Sequence, residues 1–214
     1  MKTFLWLSLI ALFPVVLSAL IYLTERTKAA SKMSYIAKQV ITGIMFGGLA
    51  ILGTEFGIKI DGAIINARDA SPICAGLLFG APAGIIAGII GGVERWLAVI
   101  WGAGEYTQLA CSVSTVLAGA FAAALRKYMF DNKKPKWYYC LAIAVITEIV
   151  HMLMIFLTNM NDVRTAFSFV RICSLPMIAV NGLAVMLAGA LLSLLSVREH
   201  KTAHHDLKNI SQSF

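Results

Sequence analysis

Six long apolar stretches run along the chain, separated by connections that carry charges, glycine or asparagine. They cover residues 3–24, 35–57, 72–93, 107–125, 139–158 and 173–197. Each is close to the roughly 20 apolar residues that an α-helix needs to cross a bilayer. The pattern therefore predicts an all-α polytopic membrane protein.

The first stretch also has features of a secretory signal peptide, because Lys2 precedes the apolar run from Phe4 to Leu23. However, this run is longer than the apolar region of a signal peptide, and Pro14 interrupts it. No small-residue cleavage site follows it. We therefore expect an N-terminal transmembrane helix and a basic loop within residues 1–34.

The third stretch is rich in glycine and proline, with a break at Phe79-Gly80-Ala81-Pro82 near its middle. Proline removes a backbone donor and glycine permits a turn, so this stretch predicts two short packed helices that enter the membrane and return. Small residues recur every four positions at Gly80, Gly84, Gly88 and Gly92, which allows helices to approach closely. The expected core, residues 35–197, then has six helices, two of them in this Gly/Pro-rich hairpin.

The composition agrees with a membrane protein. Of 214 residues, 59% are hydrophobic and 14% are charged, and the mean hydropathy is +0.79. These values exclude an ordinary soluble fold and a disordered chain. The spans also leave no room for a separate soluble catalytic domain.

The net charge of +7 reports first on orientation, since basic loops stay in the cytoplasm. With the third stretch as a hairpin, 12 of the 18 Lys and Arg residues lie on one side, with the N-terminus outside and the C-terminus inside. Six simple crossings give 11 against 7 and put both termini on one side. The cluster Lys133-Lys134-Pro135-Lys136 is cytoplasmic in both arrangements. We favour the first, which places Arg68 and Arg95 near the outer face.

No pattern in the sequence indicates catalysis. There is no GxSxG, Walker, HExxH or kinase motif, and the four cysteines form no CxxC pair. We expect no catalytic residues, no metal and no cofactor within these residues. Nothing indicates a nucleic-acid partner either.

Two arginines flank the predicted hairpin and are candidates for binding an anion. Arg68 lies just before the hairpin in the sequence and Arg95 lies at its end. A guanidinium beside hydrocarbon is costly unless it faces a cavity or a partner, and its planar fork matches a carboxylate. Alternatively, Asp69 and Glu94 neutralise the two arginines as structural ion pairs.

Two further pairs carry polar side chains into the membrane. Cys111 and Ser114 share one face near the start of a helix, where hydroxyls also serve as caps or packing contacts. Glu148 and His151 are also three residues apart. They could form an intramembrane proton relay that senses the state of the membrane, or an interhelical hydrogen bond.

Several ordered motifs together resemble the five-transmembrane receptor module of the LytS type, the 5TMR-LYT family, over about residues 35–197. They are Asn66-Ala67-Arg68, the run from Cys74 to Arg95, Ala110-Cys111-Ser112-Val113-Ser114-Thr115, Leu117-Ala118-Gly119, Pro176-Met177-Ile178 and Asn181-Gly182. The resemblance implies a bacterial plasma-membrane sensor that relays ligand binding to a cytoplasmic histidine kinase, diguanylate cyclase or phosphatase. A homodimer is expected.

Some members of this family sense pyruvate, and two arginines with a Cys/Ser pair contribute to their site. The matching positions are Arg68, Arg95, Cys111 and Ser114, and we add Asn66 as a ligand-binding candidate. The loop from Trp96 to Thr107 is longer than in the pyruvate sensors, which leaves the identity of the anionic ligand open. The polar residues 198–214 resemble the start of a cytoplasmic signalling helix, so the chain is either cut from a longer receptor or acts through a partner.

A weaker resemblance supports an alternative function. The pattern from Pro72 to Gly92, the chain length and the basic loop are similar to substrate-binding components of energy-coupling-factor vitamin transporters. Their six-helix architecture would then serve transport instead of signalling.

Overall fold

A computed structural model describes residues 2–60, 63–102 and 104–211. The longer helices are α1 (Lys2–Thr24), α3 (Tyr35–Glu55), α5 (Ala81–Leu97), α6 (Gln108–Tyr128), α7 (Trp137–Thr158) and α8 (Val163–Ser211). The short ones are α2 (Lys28–Ser31) and α4 (Ala70–Cys74), which continues as a π-helical turn (Ala75–Phe79). Single 3₁₀ turns cover Ala98–Trp101, Glu105–Thr107 and Met160–Asp162, and two short strands are β1 (Ile58–Ile60) and β2 (Ala63–Ile65).

Six helical segments within the described residues are long and apolar enough to cross a membrane. Their large apolar side chains point outward, as with Ile44 on α3 and Leu153 on α7, while Gln39, Glu148 and His151 are buried between helices. Polar groups inside and apolar groups outside are what a lipid environment requires. The predicted all-α polytopic fold, including the N-terminal helix, is confirmed.

The predicted break in the third stretch is confirmed at Gly80, where α4 with its π turn ends and α5 begins. The Gln39 amide holds this break, donating from Nε2 to the Phe79 carbonyl at 3.1 Å and accepting from the Ala83 amide at 3.3 Å. A Cβ atom at Gly80 would collide with this amide. The second helix of the predicted hairpin is longer than expected. Helix α5 and the following 3₁₀ turn form a 21-residue span, so only the first helix of the hairpin is short.

The glycines of α5 bring it against two neighbours. A Cβ at Gly84 would lie 2.5 Å from the Cα of Gly76, and one at Gly119 on α6 would collide with the Gly84 carbonyl. A Cβ at Gly88 would lie 3.1 Å from the Thr115 carbonyl oxygen. Close backbone approach of this kind is how small residues drive helix packing in membranes.

The antiparallel hairpin β1–β2 is an element that the sequence analysis did not anticipate. It pairs Ile58 with Ile65 and leads into the buried segment Asn66–Asp69. Ile64 packs with Ala98 after α5, so the hairpin meets the 3₁₀ turn that follows this helix. Together they form one end of the bundle.

Helix α8 extends from Val163 to Ser211 with Pro176 inside it, so the last predicted span and the polar tail form one helix. It packs against α7 and α1. Residues 212–214 of the predicted tail lie outside the described residues. The helix therefore continues from the bundle into the polar tail without a break, as far as Ser211.

Candidate functional site

Arg68 lies in the loop between β2 and α4 and has no solvent exposure. Asn66 shapes this loop: its Oδ1 accepts from the Arg68 amide at 3.2 Å and its Nδ2 donates to the Ile64 carbonyl at 3.0 Å. The Cα of Arg68 packs against Gly53, where a Cβ would lie only 2.8 Å away. Asn66 therefore positions Arg68, and its contact with a ligand stays a prediction.

The Arg68 guanidinium is held on two sides. Its Nε lies 2.7 Å from Thr115 Oγ1 and 3.2 Å from Asp69 Oδ1, and Nη1 lies 3.4 Å from Thr54 Oγ1. The ion pair with Asp69 that the sequence suggested is therefore present. Nevertheless, Nη2 is buried without a partner among the described residues. A buried donor without an acceptor costs free energy, so this nitrogen marks a place for an acceptor.

Arg95 lies in the last turn of α5 and is also fully buried. Its Nη2 donates to the Gly104 carbonyl at 2.8 Å and lies 3.1 Å from Thr107 Oγ1. It also interacts with the Cys111 side chain and, electrostatically, with Arg68. Gly104 has a φ of 56°, in the left-handed region that glycine tolerates. The structure thus brings the two predicted arginines into one cluster.

Cys111 and His151, predicted in separate pairs, belong to this cluster as well. His151 Nε2 lies 3.3 Å from Cys111 Sγ, and its Nδ1 lies 2.8 Å from Asp69 Oδ2. Glu148 Oε2 is 3.7 Å from the same Nδ1. A continuous chain of polar contacts therefore runs from the Cys111 thiol through the His151 imidazole and Asp69 to Arg68. His151, predicted as part of a proton relay, thus lies in the same cluster as the arginines.

Ser114 is buried, and its hydroxyl has no hydrogen-bond partner among the described residues. With His151 and Thr147 it lines a cavity of about 300 Å³ between α6 and α7. Cys111 and Ser114 thus present a thiol and an unpartnered hydroxyl one helical turn apart, as their spacing predicts.

A metal is a poor fit to this cluster. Ligand atoms of Asp69, Glu148 and His151 lie within 4.8 Å of one another, a spacing that suits a cation. However, the Arg68 guanidinium already pairs with Asp69 and would repel a metal ion.

Several residues of the cluster were not singled out by the sequence analysis. They are Thr54, Gly104, Thr107 and Thr115. Three are threonines within or at the ends of apolar stretches, a signal too common to select them. Asn181 entered the sequence analysis only as part of a family motif, yet its Oδ1 accepts from the Ala70 amide at 2.9 Å and its Nδ2 donates to the Asn66 carbonyl at 3.2 Å.

Comparison with known proteins assigns the chain to a family. The family model described as 5TMR of 5TMR-LYT matches residues 21–194, most of the chain. The chain belongs to the 5TMR-LYT family. No solved structure matches this 5TMR-LYT chain.

Curated relatives of this 5TMR-LYT chain carry the names of sensor proteins. Sensor histidine kinase BtsS of Escherichia coli is 28% identical over 142 residues, covering 64% of this chain and 24% of that protein. Sensor protein LytS of Staphylococcus haemolyticus is 32% identical over 157 residues, covering 71% and 26%. Sensor protein LytS of Bacillus anthracis is 30% identical over 146 residues, covering 65% and 23%. The chain therefore spans about a quarter of the length of these relatives, all of which are named as sensors.

Proposed function

We propose that this chain is the transmembrane sensor module of a bacterial signalling receptor, and that it binds a small anionic metabolite near the outer face. A monocarboxylate such as pyruvate suits the site best. The observation that carries this proposal is the pair of fully buried guanidinium groups, of which Arg68 has a buried Nη2 without a partner. A ligand carboxylate would accept from this nitrogen and offset the buried positive charge.

Buried carboxylates balance part of the charge of the two arginines. Asp69 pairs with Arg68, the Nη2 of Arg95 donates to the Gly104 carbonyl and lies near Thr107 Oγ1, and the buried Glu94 carboxylate acts electrostatically on both arginines. One carboxylate between them would receive charge-assisted hydrogen bonds from both forks. A single negative charge is therefore favoured over a dianion.

The remaining polar groups would recognise the rest of the ligand. Cys111, Ser114 and His151 lie on α6 and α7, and the Ser114 hydroxyl has no partner among the described residues. This hydroxyl can donate to a carbonyl oxygen or accept from a ligand hydroxyl. A 2-oxo or 2-hydroxy acid would use it, while a simple fatty acid would not.

Signal relay would pass through Asn181 into α8. Asn181 connects this helix to Asn66 and Ala70, on both sides of Arg68. A ligand shifts an equilibrium only if it binds one conformation better, and Arg68 is the group whose contacts change on binding. The residues after 197 would then relay the state to a cytoplasmic kinase, cyclase or phosphatase domain, in a homodimer with a cytoplasmic C-terminus. In this view residues 35–197 are the sensor core and residues 1–34 an additional helix and basic loop.

Calorimetric titration of pyruvate, lactate and acetate into the purified chain in nanodiscs tests the proposal. Arg68→Lys keeps the charge but removes the fork, and we expect about a 10- to 100-fold loss of pyruvate affinity. Arg164→Lys is the matched control, since Arg164 is exposed on α8. Equal affinity of the two variants would refute the assignment of Arg68.

The alternative functions predict different results. A transporter subunit would copurify with an ATPase and support uptake into vesicles, and relatives named as sensors argue against it. A sensor of membrane state would depend on Glu148 and His151 without any ligand. Because His151 contacts both Cys111 and Asp69, we favour a role for this pair inside the ligand site.

A further inference from the structure

A polar cavity of about 460 Å³ lies at the opposite end of the bundle from Arg68. Helix α3 shows the separation, since Lys38 at its start lines this cavity and Thr54 near its end contacts Arg68. We call the cavity the basic pocket. Its charged lining residues are Glu25, Arg26, Lys38, Arg126 and Lys134.

The basic pocket has an excess of positive charge. Four cationic side chains face a single carboxylate, that of Glu25. Like charges in one concave space repel one another unless an anion lies between them. The charge of the pocket therefore favours a bound anion.

Arg126 gives this pocket a buried donor. It lies near the end of α6 and is only 9% exposed. Its Nη1 donates to the Leu77 carbonyl in the π turn at 2.6 Å, which fixes the guanidinium against the tip of the hairpin. Its Nε is buried without a partner among the described residues. An acceptor in the pocket would satisfy this nitrogen.

Aromatic rings position two of the other cations. Arg26 lies 4.2 Å and Lys134 4.3 Å from the centre of the Tyr22 ring. Such contacts position the cations at the wall of the pocket. Partial burial lowers the pKa of Lys134 to about 8. The positive charges of Arg126 and Arg26 lower this pKa as well, whereas the negative charge of Glu25 raises it. The site is thus short of negative charge.

The pocket also has an apolar wall. Leu78 and Phe79 from the hairpin tip line it beside the charged groups. It lies where α1 and α6 end and α3 begins, the level at which a lipid headgroup meets the ends of spanning helices. Both a charged group and the start of an acyl chain could be accommodated.

We propose that the basic pocket binds a net-negative phosphate ester, with Arg126 and Lys134 as its principal contacts. A phosphate ester arranges its charged oxygens tetrahedrally, which suits donors that converge from several directions better than a planar carboxylate does. The headgroup of an anionic phospholipid and a soluble phosphate monoester share this chemistry. The site is separate from the carboxylate site, so neither proposal depends on the other.

The test compares thermal unfolding of the full chain in nanodiscs of three kinds. These contain phosphatidylcholine alone, phosphatidylcholine with phosphatidylglycerol, or phosphatidylcholine with added glycerol 3-phosphate. We expect phosphatidylglycerol to raise the unfolding midpoint of the parent chain and to remain bound in native mass spectrometry. Lys134→Gln and Arg126→Gln should lose this rise, while Lys127→Gln should keep it, because Lys127 is the exposed neighbour of Arg126 and does not line the pocket.

The three nanodisc preparations distinguish a lipid headgroup from a soluble phosphate ester as the ligand of the basic pocket. An equal, variant-dependent rise with glycerol 3-phosphate would identify a soluble ligand, and a rise with phosphatidylglycerol alone would identify the lipid. Lys134 lies in the loop between α6 and α7 and not in a spanning helix, so Lys134→Gln should fold even if Arg126→Gln does not. The proposal is overturned if neither addition raises the midpoint, or if Lys134→Gln responds as Lys127→Gln does.

Discussion

His151 on α7 lies with its Nδ1 2.8 Å from Oδ2 of Asp69, the residue immediately before α4. This contact ties a spanning helix to the loop that carries Arg68. It also makes Asp69 the shared partner of an imidazole and a guanidinium, with Thr115 Oγ1 donating at 2.7 Å as a third contact. Asp69 therefore holds together the polar cluster inside the apolar bundle.

Asp69→Asn should destabilise the fold strongly. It removes the negative charge that faces Arg68, and an uncompensated buried charge costs about 3–5 kcal/mol. Reversible unfolding in mixed micelles measures the loss. Glu105→Gln, at an exposed position, should change the free energy of unfolding by less than about 0.5 kcal/mol. Similar stability of the two variants would show that Asp69 does not hold the cluster.

Gly104→Ala should weaken pyruvate binding, if the proposed ligand site is correct. A Cβ there would lie 2.7 Å from Nη2 of Arg95, so the guanidinium must move. Gly102 is the matched control, because its φ of 84° is also left-handed but a Cβ there meets nothing within 4 Å. Both variants carry similar backbone strain, about 1–2 kcal/mol. We expect about a tenfold loss of affinity by calorimetry for Gly104→Ala and no loss for Gly102→Ala.

The sequence predicted the spans well because hydropathy is a local property. It also located the break at Gly80, where glycine and proline change the backbone in a way that needs no distant partner. The hairpin β1–β2 was missed, since strands of three residues have too little pattern to detect.

The site was predicted only in pieces. Arg68 and Asp69 are neighbours in sequence, and their ion pair was anticipated as one alternative. By contrast, Asp69 and His151 are 82 positions apart, and no spacing rule connects them. Buried ionisable residues pointed to function, but only the packing of α4, α6 and α7 shows that Cys111, His151 and Arg68 form one cluster.

Gly119→Ala should loosen the contact between α5 and α6. Its Cβ would collide with the Gly84 carbonyl, and overpacking of a tight contact costs about 1–3 kcal/mol. Gly48→Ala on α3 is the control, since a Cβ there meets nothing within 4 Å. Because alanine favours a helix over glycine, Gly48→Ala should be neutral or stabilising by up to about 1 kcal/mol. Unfolding in mixed micelles compares the two, and an unaffected Gly119→Ala would contradict this packing.

Lys134 should make stability depend on pH. Its pKa in the folded chain is lowered to about 8 from 10.5, mainly by partial burial. Between these two pKa values the unfolded chain binds more protons at Lys134 than the folded chain does, so the free energy of unfolding rises with pH. Below pH 8 the side chain is charged in both states, and the folded chain bears the full cost of burying that charge. The unfolding midpoint of the parent chain, measured in phosphatidylcholine nanodiscs, should therefore rise relative to that of Lys134→Gln from pH 8 to 10.5. Parallel curves for these two proteins would contradict the lowered pKa, and Lys127→Gln should follow the parent chain.

Asn181→Ala should uncouple α8 from the ligand site. Its amide bonds Ala70 and Asn66 across the interface, so its loss leaves a buried amide and carbonyl without partners, at a cost of about 1–3 kcal/mol. We expect pyruvate to slow hydrogen exchange in α8 of the parent chain and of Asn161→Ala, an exposed control. In Asn181→Ala this response should disappear while pyruvate affinity stays within about threefold, since the arginines are intact. An α8 response that persists in Asn181→Ala would show that the signal takes another path, through the contacts of α7 with α8.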